Sequence, residues 1–271
     1  MTSLLRKALA FIRRDFQIES SYKMSFVMNI VDSMMILIFF YFLSQLVSRG
    51  ESRYLDRYGG NFLSFSVIGL AFARYFQLTL RMFSESIRTA QLSGCLEAML
   101  SSQTDALTIV LMSSLYGLLS GAAQPVLILV AGALVMGVDL SHMNFPATML
   151  VLAFSVLTFV AFGVLSAATI LWLKKGDPLA WILGGMGTML GGAYFPIDVL
   201  PQWLRQVSFL IPITYSLDAL RLTMLKGYSL EMVAHPLLVL ALMAAILLPA
   251  SLAIFAAMVR KGRIEGTLMQ Y

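Results

Sequence analysis

Six stretches of this chain are apolar over the roughly 20 residues that an α-helix needs to cross a hydrocarbon core about 30 Å thick. They lie near 26–47, 62–83, 106–136, 146–173, 178–195 and 236–259. Lipid offers no water to unpaired amides, so such segments are expected to span as helices with their backbone bonds made internally. Composition agrees: 59% of the 271 residues are hydrophobic and only 12% are charged, far from the balance of a soluble domain. The expected fold is therefore an all-α integral membrane bundle of six transmembrane helices. The third and fourth runs exceed what a span requires, so they tilt, protrude or kink, with Gln124-Pro125 the obvious place for a kink.

Lysine and arginine set the expected orientation. Twelve fall in the N-terminal segment, the connection after the second run, Lys174-Lys175 and the tail, against six in the alternate connections. The positive-inside rule then puts both termini in the cytoplasm, and a net charge of +5 needs no nucleic acid to explain it. Residues 1–24 form a first unit, with 25–271 as one transmembrane domain. Within that unit, residues 4–18 divide at 100° per residue into an apolar half (Leu4, Leu5, Ala8, Leu9, Phe11, Ile12, Phe16, Ile18) and a polar half (Arg6, Lys7, Arg13, Arg14, Gln17). This is the pattern of an interfacial amphipathic helix with its basic side toward lipid phosphates. A cleavable signal peptide is not expected, because the weak apolar stretch is broken at Arg13-Arg14-Asp15.

The residues for catalysis are missing from the sequence. It has no HExxH, no paired carboxylates at bilayer depth and no Gly-Lys pair to complete a phosphate-binding P-loop. His142 and His235 stand near span ends without metal partners, and Cys95, the only cysteine, reads as a small apolar filler. No catalytic residue, metal site or resident cofactor is expected in this chain. Two ionisable groups do fall inside apolar runs. Asp32 and Arg74 both lie roughly 10–14 Å deep at 1.5 Å per residue, and leaving either unpaired costs at least about 2.5 kcal/mol on the insertion scale, so an intramembrane ion pair is expected.

Three connections differ in what they reveal. Residues 48–61 (SRGESRYLDRYGGN) read as a short external connector and little more. Residues 84–105 are too polar to span, yet Ile87, Leu92, Leu96, Met99 and Leu100 make a helical stripe bordered by Arg88 and Glu97. That pattern suits a helix lying across the cytoplasmic surface, resting on the membrane or docking another protein. Glycines 184, 185, 187, 191 and 192 in the fifth run allow a close backbone approach, within the chain or across a dimer axis. After them comes YFPIDVLPQW (194–203), where Pro196 and Pro201 stop a helix before Pro212 turns the chain again. Proline at membrane depth demands that protein or water satisfy the backbone groups it frees.

Two segments carry a family resemblance. SGCLEAMLSSQTDALTIVL (93–111) resembles the cytoplasmic coupling segment of ABC-2 type permeases, the membrane subunits of ATP-binding cassette exporters, with Cys95 where threonine is usual. GGAYFPIDVLPQWLRQVSFLIPITYSLDALR (191–221) is similar to that family's Phe-Pro, Leu-Pro, Pro-x-Thr-Tyr and Asp-x-x-Arg signature. The resemblance implies that Ser93, Gly94, Leu96, Glu97 and Leu100 contact the ATPase. It also implies that Phe195, Pro196, Leu200, Pro201, Leu204, Pro212, Tyr215, Asp218 and Arg221 belong to a re-entrant helical hairpin capping the export path from outside. Spacing agrees in giving Val199, Leu200, Leu204, Val207 and Leu210 one apolar face and in letting Asp218 and Arg221 pair locally.

The implied protein is a permease of a bacterial inner membrane, working as a homodimer or heterodimer. Its partner would be a separate ATP-binding subunit that carries ATP and magnesium, and its cargo amphipathic or lipid-linked. Two other classes remain open: an ion- or proton-coupled transporter, and a non-transporting membrane scaffold.

Overall fold

The computed structural model describes residues 13, 16–17, 23–47, 54–92, 94, 106–173 and 176–265. The expected amphipathic helix at 4–18 and the coupling residues Ser93, Leu96, Glu97 and Leu100 lie outside the described residues, apart from isolated positions. Those described are helical and loop, with no strand among them.

Helix α1 spans Lys23–Val47, α2 Phe62–Leu92, α3 Ala106–Gly121, α4 Ala123–Met136 and α5 Phe145–Leu173. A shorter apolar helix, α6, spans Pro178–Leu190. Two further short helices, α7 Gln202–Ser208 and α8 Pro212–Leu225, precede α9, Ala234–Glu265. Five helical stretches are long and apolar enough to cross a membrane: Val27–Val47, Phe62–Leu92, Thr108–Met136, Phe145–Leu173 and Ala234–Gly262.

Three expectations change. The run expected to span 178–195 stops as a helix at Leu190. At 1.5 Å per residue α6 extends about 20 Å, short of a full crossing. Its middle, Ile182–Met186, widens into a π-helical turn around Gly184-Gly185, and Gly192 leaves the helix at φ +81°. Secondly, residues 84–92 are not a separate surface helix. With no glycine or proline after Gly69 to break it, α2 runs on for 31 residues, and Gly94 closes it at φ +67° with its N–H donated to the Gln91 carbonyl. Thirdly, the kink in the third run falls at Ala122, where α3 gives way to α4. Pro125 has no N–H for the carbonyl four residues back, that of Gly121, so the bend sits before the proline rather than at it.

Helix α2 is the hub, with 83% of its apolar window buried and α1, α3, α4, α5, α6 and α8 packed on it. Lipid tails are as apolar as leucine, so close packing rather than water exclusion holds such helices together. The α2–α5 contact shows it: Phe76 and Phe159 meet at 4.6 Å between ring centroids. A β-carbon on Gly163 would stand 2.5 Å from Phe83 Cδ2 and 2.8 Å from the Thr79 carbonyl oxygen. Helix α5 is bound in turn to α9, where Thr158 Oγ1 donates to the Leu240 carbonyl at 3.2 Å. Asp177 caps α6, accepting from the Ala180 N–H at 3.0 Å and from Ser166 Oγ of α5 at 2.5 Å.

Candidate functional site

The proline-rich stretch folds as a chain of small elements lodged against the hub. After α6, residues 191–195 turn, Ile197–Val199 makes one 3₁₀ turn, and α7 and α8 follow with Pro212 at the first turn of α8. Proline fits there because the first N–H groups of a helix have no intrahelical acceptor. Helix α7 is mostly outward: Trp203 and Val207 are exposed and Leu204 is half-buried, and Leu210 in the turn after it is exposed as well. Helix α8 is the opposite, buried from Pro212 to Met224 except at Tyr215 and Asp218.

Carbonyl groups freed where α6 and α7 end are satisfied by side chains. Ser208 Oγ donates to the Leu190 carbonyl at 2.7 Å, and Thr214 Oγ1 donates to the Ser208 carbonyl at 2.7 Å. Arg221 does most. Its Nη1 donates to the Gly192 carbonyl at 2.9 Å, Nη2 to that of Ala193 at 3.0 Å and Nε to that of Phe65 at 3.2 Å. Arg221 is 2% exposed as a residue, and its guanidinium carbon lies 3.4 Å from the centroid of the Phe65 ring. A planar cation with five donors suits this site, because lysine could not reach three divergent carbonyls at once. The turn after α6, helix α8 and the hub thus meet on one side chain.

Asp218 and Arg221 do not pair with each other. Asp218 Oδ2 accepts from Arg57 Nη2 at 2.9 Å and Oδ1 accepts from the Tyr58 hydroxyl at 2.8 Å. Both partners come from the connector between α1 and α2, and Lys226 Nζ adds a bond to the Asp56 carbonyl at 2.8 Å. Burial, reinforced by the charge of Asp218, pushes the Tyr58 phenol above its ordinary range and keeps it a neutral donor. Sequence reasoning passed over Arg57 and Tyr58. The signal available was an Arg-Tyr pair at the same end of the bundle as a half-buried aspartate.

Asp32 and Arg74 meet across α1 and α2, Arg74 Nη1 lying 2.7 Å from Asp32 Oδ2. Of the expected coupling residues only Gly94 is described, exposed at the end of α2. Phe195, Leu200 and Tyr215 are half-buried, Pro196 and Pro212 buried, and Pro201 exposed. No group of three or more His, Cys, Asp or Glu among the described residues is placed to hold a metal ion.

The sequence model of one protein family, described as ABC-2 type transporter, matches residues 6–225. No curated protein matches the chain.

Proposed function

The chain belongs to the ABC-2 type transporter family, and on that premise we propose that it is the permease subunit of an exporter whose ATP is hydrolysed on a separate nucleotide-binding subunit. Two copies, or one copy and a related chain, frame the path, and an amphipathic or lipid-linked cargo crosses between them. The segment around Gly94, with Ser93, Leu96, Glu97 and Leu100, receives the motion of the ATPase at the end of α2. That helix is well suited to pass it on. It is 31 residues long, unbroken and packed on six neighbouring helices.

The observation that carries the reading is the assembly on Arg221. Helices α7 and α8 form the re-entrant cap, α6 supplies a sixth, incomplete span, and both termini face the cytoplasm of a bacterial inner membrane. Arg221 ties the cap to the hub through the carbonyls of Phe65, Gly192 and Ala193. A movement of α2 is thereby felt at the cap without a flexible link between them.

The test is co-purification followed by reconstitution. A tagged chain should bring down a soluble protein carrying a P-loop, and vesicles holding both should move cargo only with hydrolysable ATP. Transport that persists with the ATPase removed would replace this reading with a secondary transporter.

A further inference from the structure

Helix α1 carries an ionic group that the protein leaves more than half uncovered well inside an apolar span. Its window Val27–Val47 is only 22% buried, and its inner side is made by Ser33, Leu37, Phe40 and Ser44. Turned about 110° away from that side, and within about 60° of Asp32 at 100° per residue, stand Met28, Asn29, Met35 and Phe39, all exposed. Arg74 reaches Asp32 from the α2 side. The two partners are not equally covered: the Asp32 side chain is 55% exposed, that of Arg74 only 26%. Among the described residues no donor other than Arg74 is recorded at the Asp32 carboxylate.

An ion pair so placed is a dipole with its negative end outward. About one turn from that end on either side lie two thioethers, and about two turns along the same stripe an aromatic ring, groups that are soft and polarisable or that attract cations through the ring quadrupole. A compact, strongly hydrated ammonium would lose too much water to settle there, whereas a cation whose charge is spread over an apolar body would not. An anion would meet the carboxylate first and find the guanidinium already engaged.

We propose that the face of α1 formed by Met28, Asn29, Asp32, Met35 and Phe39 binds delocalised, lipophilic organic cations, with Asp32 as the charge-selecting group. The proposal rests on the permease reading for its purpose, since it names the class of cargo, but the binding itself needs no ATPase.

Tetraphenylphosphonium and tetraphenylborate test it, having nearly the same shape and opposite charge. Binding is measured by equilibrium dialysis on the full chain purified in nanodiscs, without a nucleotide-binding subunit. Empty nanodiscs give the lipid background for each ion. The expected result is saturable binding of the phosphonium, at least roughly tenfold tighter than that of the borate. Asp32→Asn combined with Arg74→Gln, which leaves no unpaired charge, should lower phosphonium affinity by a similar factor and leave the borate unchanged. Asp32→Glu should retain most of the preference. Equal binding of the two ions, or phosphonium binding indifferent to the double substitution, overturns the proposal whether or not the chain later proves to work with an ATPase.

Discussion

The carbonyl oxygen of Ala193 occupies the space where Gly69 would carry a β-carbon, and Arg221 Nη2 lies against the same space. Glycine at position 69 therefore lets the turn after α6 press onto the first third of α2, and only at that distance can Arg221 bridge Phe65, Gly192 and Ala193. The first prediction concerns this contact. Gly69→Ala has backbone, not a flexible side chain, in its way, and overpacking of that kind costs about 1–3 kcal/mol. Gly117→Ala meets only the end of Met82, whose Cε would be 3.4 Å away and can swing aside. Thermal unfolding in detergent should show a clear drop for Gly69→Ala and almost none for Gly117→Ala. Equal midpoints would mean that the turn does not rest on α2.

Arg221 itself should be intolerant of substitution. Arg221→Met fills much of the volume but leaves the Gly192 and Ala193 carbonyls without a donor, each costing about 1–3 kcal/mol when buried, and takes the second donor from the helical carbonyl of Phe65. Arg221→Lys keeps the charge and loses the fork. Both should reduce the monodisperse fraction in size-exclusion chromatography, with Lys retaining more than Met. A methionine variant that is as stable as the parent would show that water replaces the guanidinium.

The strap on Asp218 has two arms of unequal strength. Arg57 is 57% exposed on its side chain, and exposed pairs contribute about 0–1 kcal/mol, less with added salt. Tyr58 is buried, and deleting its hydroxyl leaves the Asp218 carboxylate short of a donor, at about 1–3 kcal/mol. Tyr58→Phe should thus lower the unfolding midpoint more than Arg57→Ala. The raised folded-state pKa of Tyr58 fixes the sign of its pH dependence. Its stabilisation is complete below the ordinary tyrosine value near 10 and declines as pH rises beyond it, because the unfolded chain loses its phenolic proton first. The parent should therefore lose stability above about pH 10 more steeply than Tyr58→Phe; parallel curves would remove Tyr58 from that role.

Much of the bundle is written in local sequence, because span length and apolar runs are local properties. Asp32 and Arg74 are readable for the same reason: two charges at one depth on consecutive antiparallel helices need each other. The extent of α2 is harder to read. Polarity from Ser84 onward says that lipid ends, and says nothing about whether the helix does. Arg221 resisted for a different reason. Its spacing from Asp218 suggests a local pair, but the groups that claim each of them, the connector at 57–58 and the carbonyls of residues 65, 192 and 193, are distant in sequence and become neighbours only through the fold. The unpartnered backbone created by the prolines was the clue that a donor-rich side chain would be needed nearby.

Whether α7 lies in lipid or in water is decided by residues the chain itself leaves uncovered. Trp203 is 67% exposed and Leu210 73% exposed, so protein does not shield either position. Single cysteines there, in a Cys95→Ala background, meet a membrane-impermeant thiol reagent only if water reaches them. Ser229, exposed in the loop before α9, serves as the aqueous reference, and buried Leu217 as the shielded one. A cap dipping into the bilayer should leave positions 203 and 210 as unreactive as 217, while 229 reacts fully; brief detergent treatment, which strips the lipid but not the fold, should then make 203 and 210 reactive and leave 217 silent. Positions 203 and 210 reacting as fast as 229 in intact membranes would make α7 an aqueous surface helix, and the Arg221 assembly would then anchor an external loop rather than a re-entrant cap.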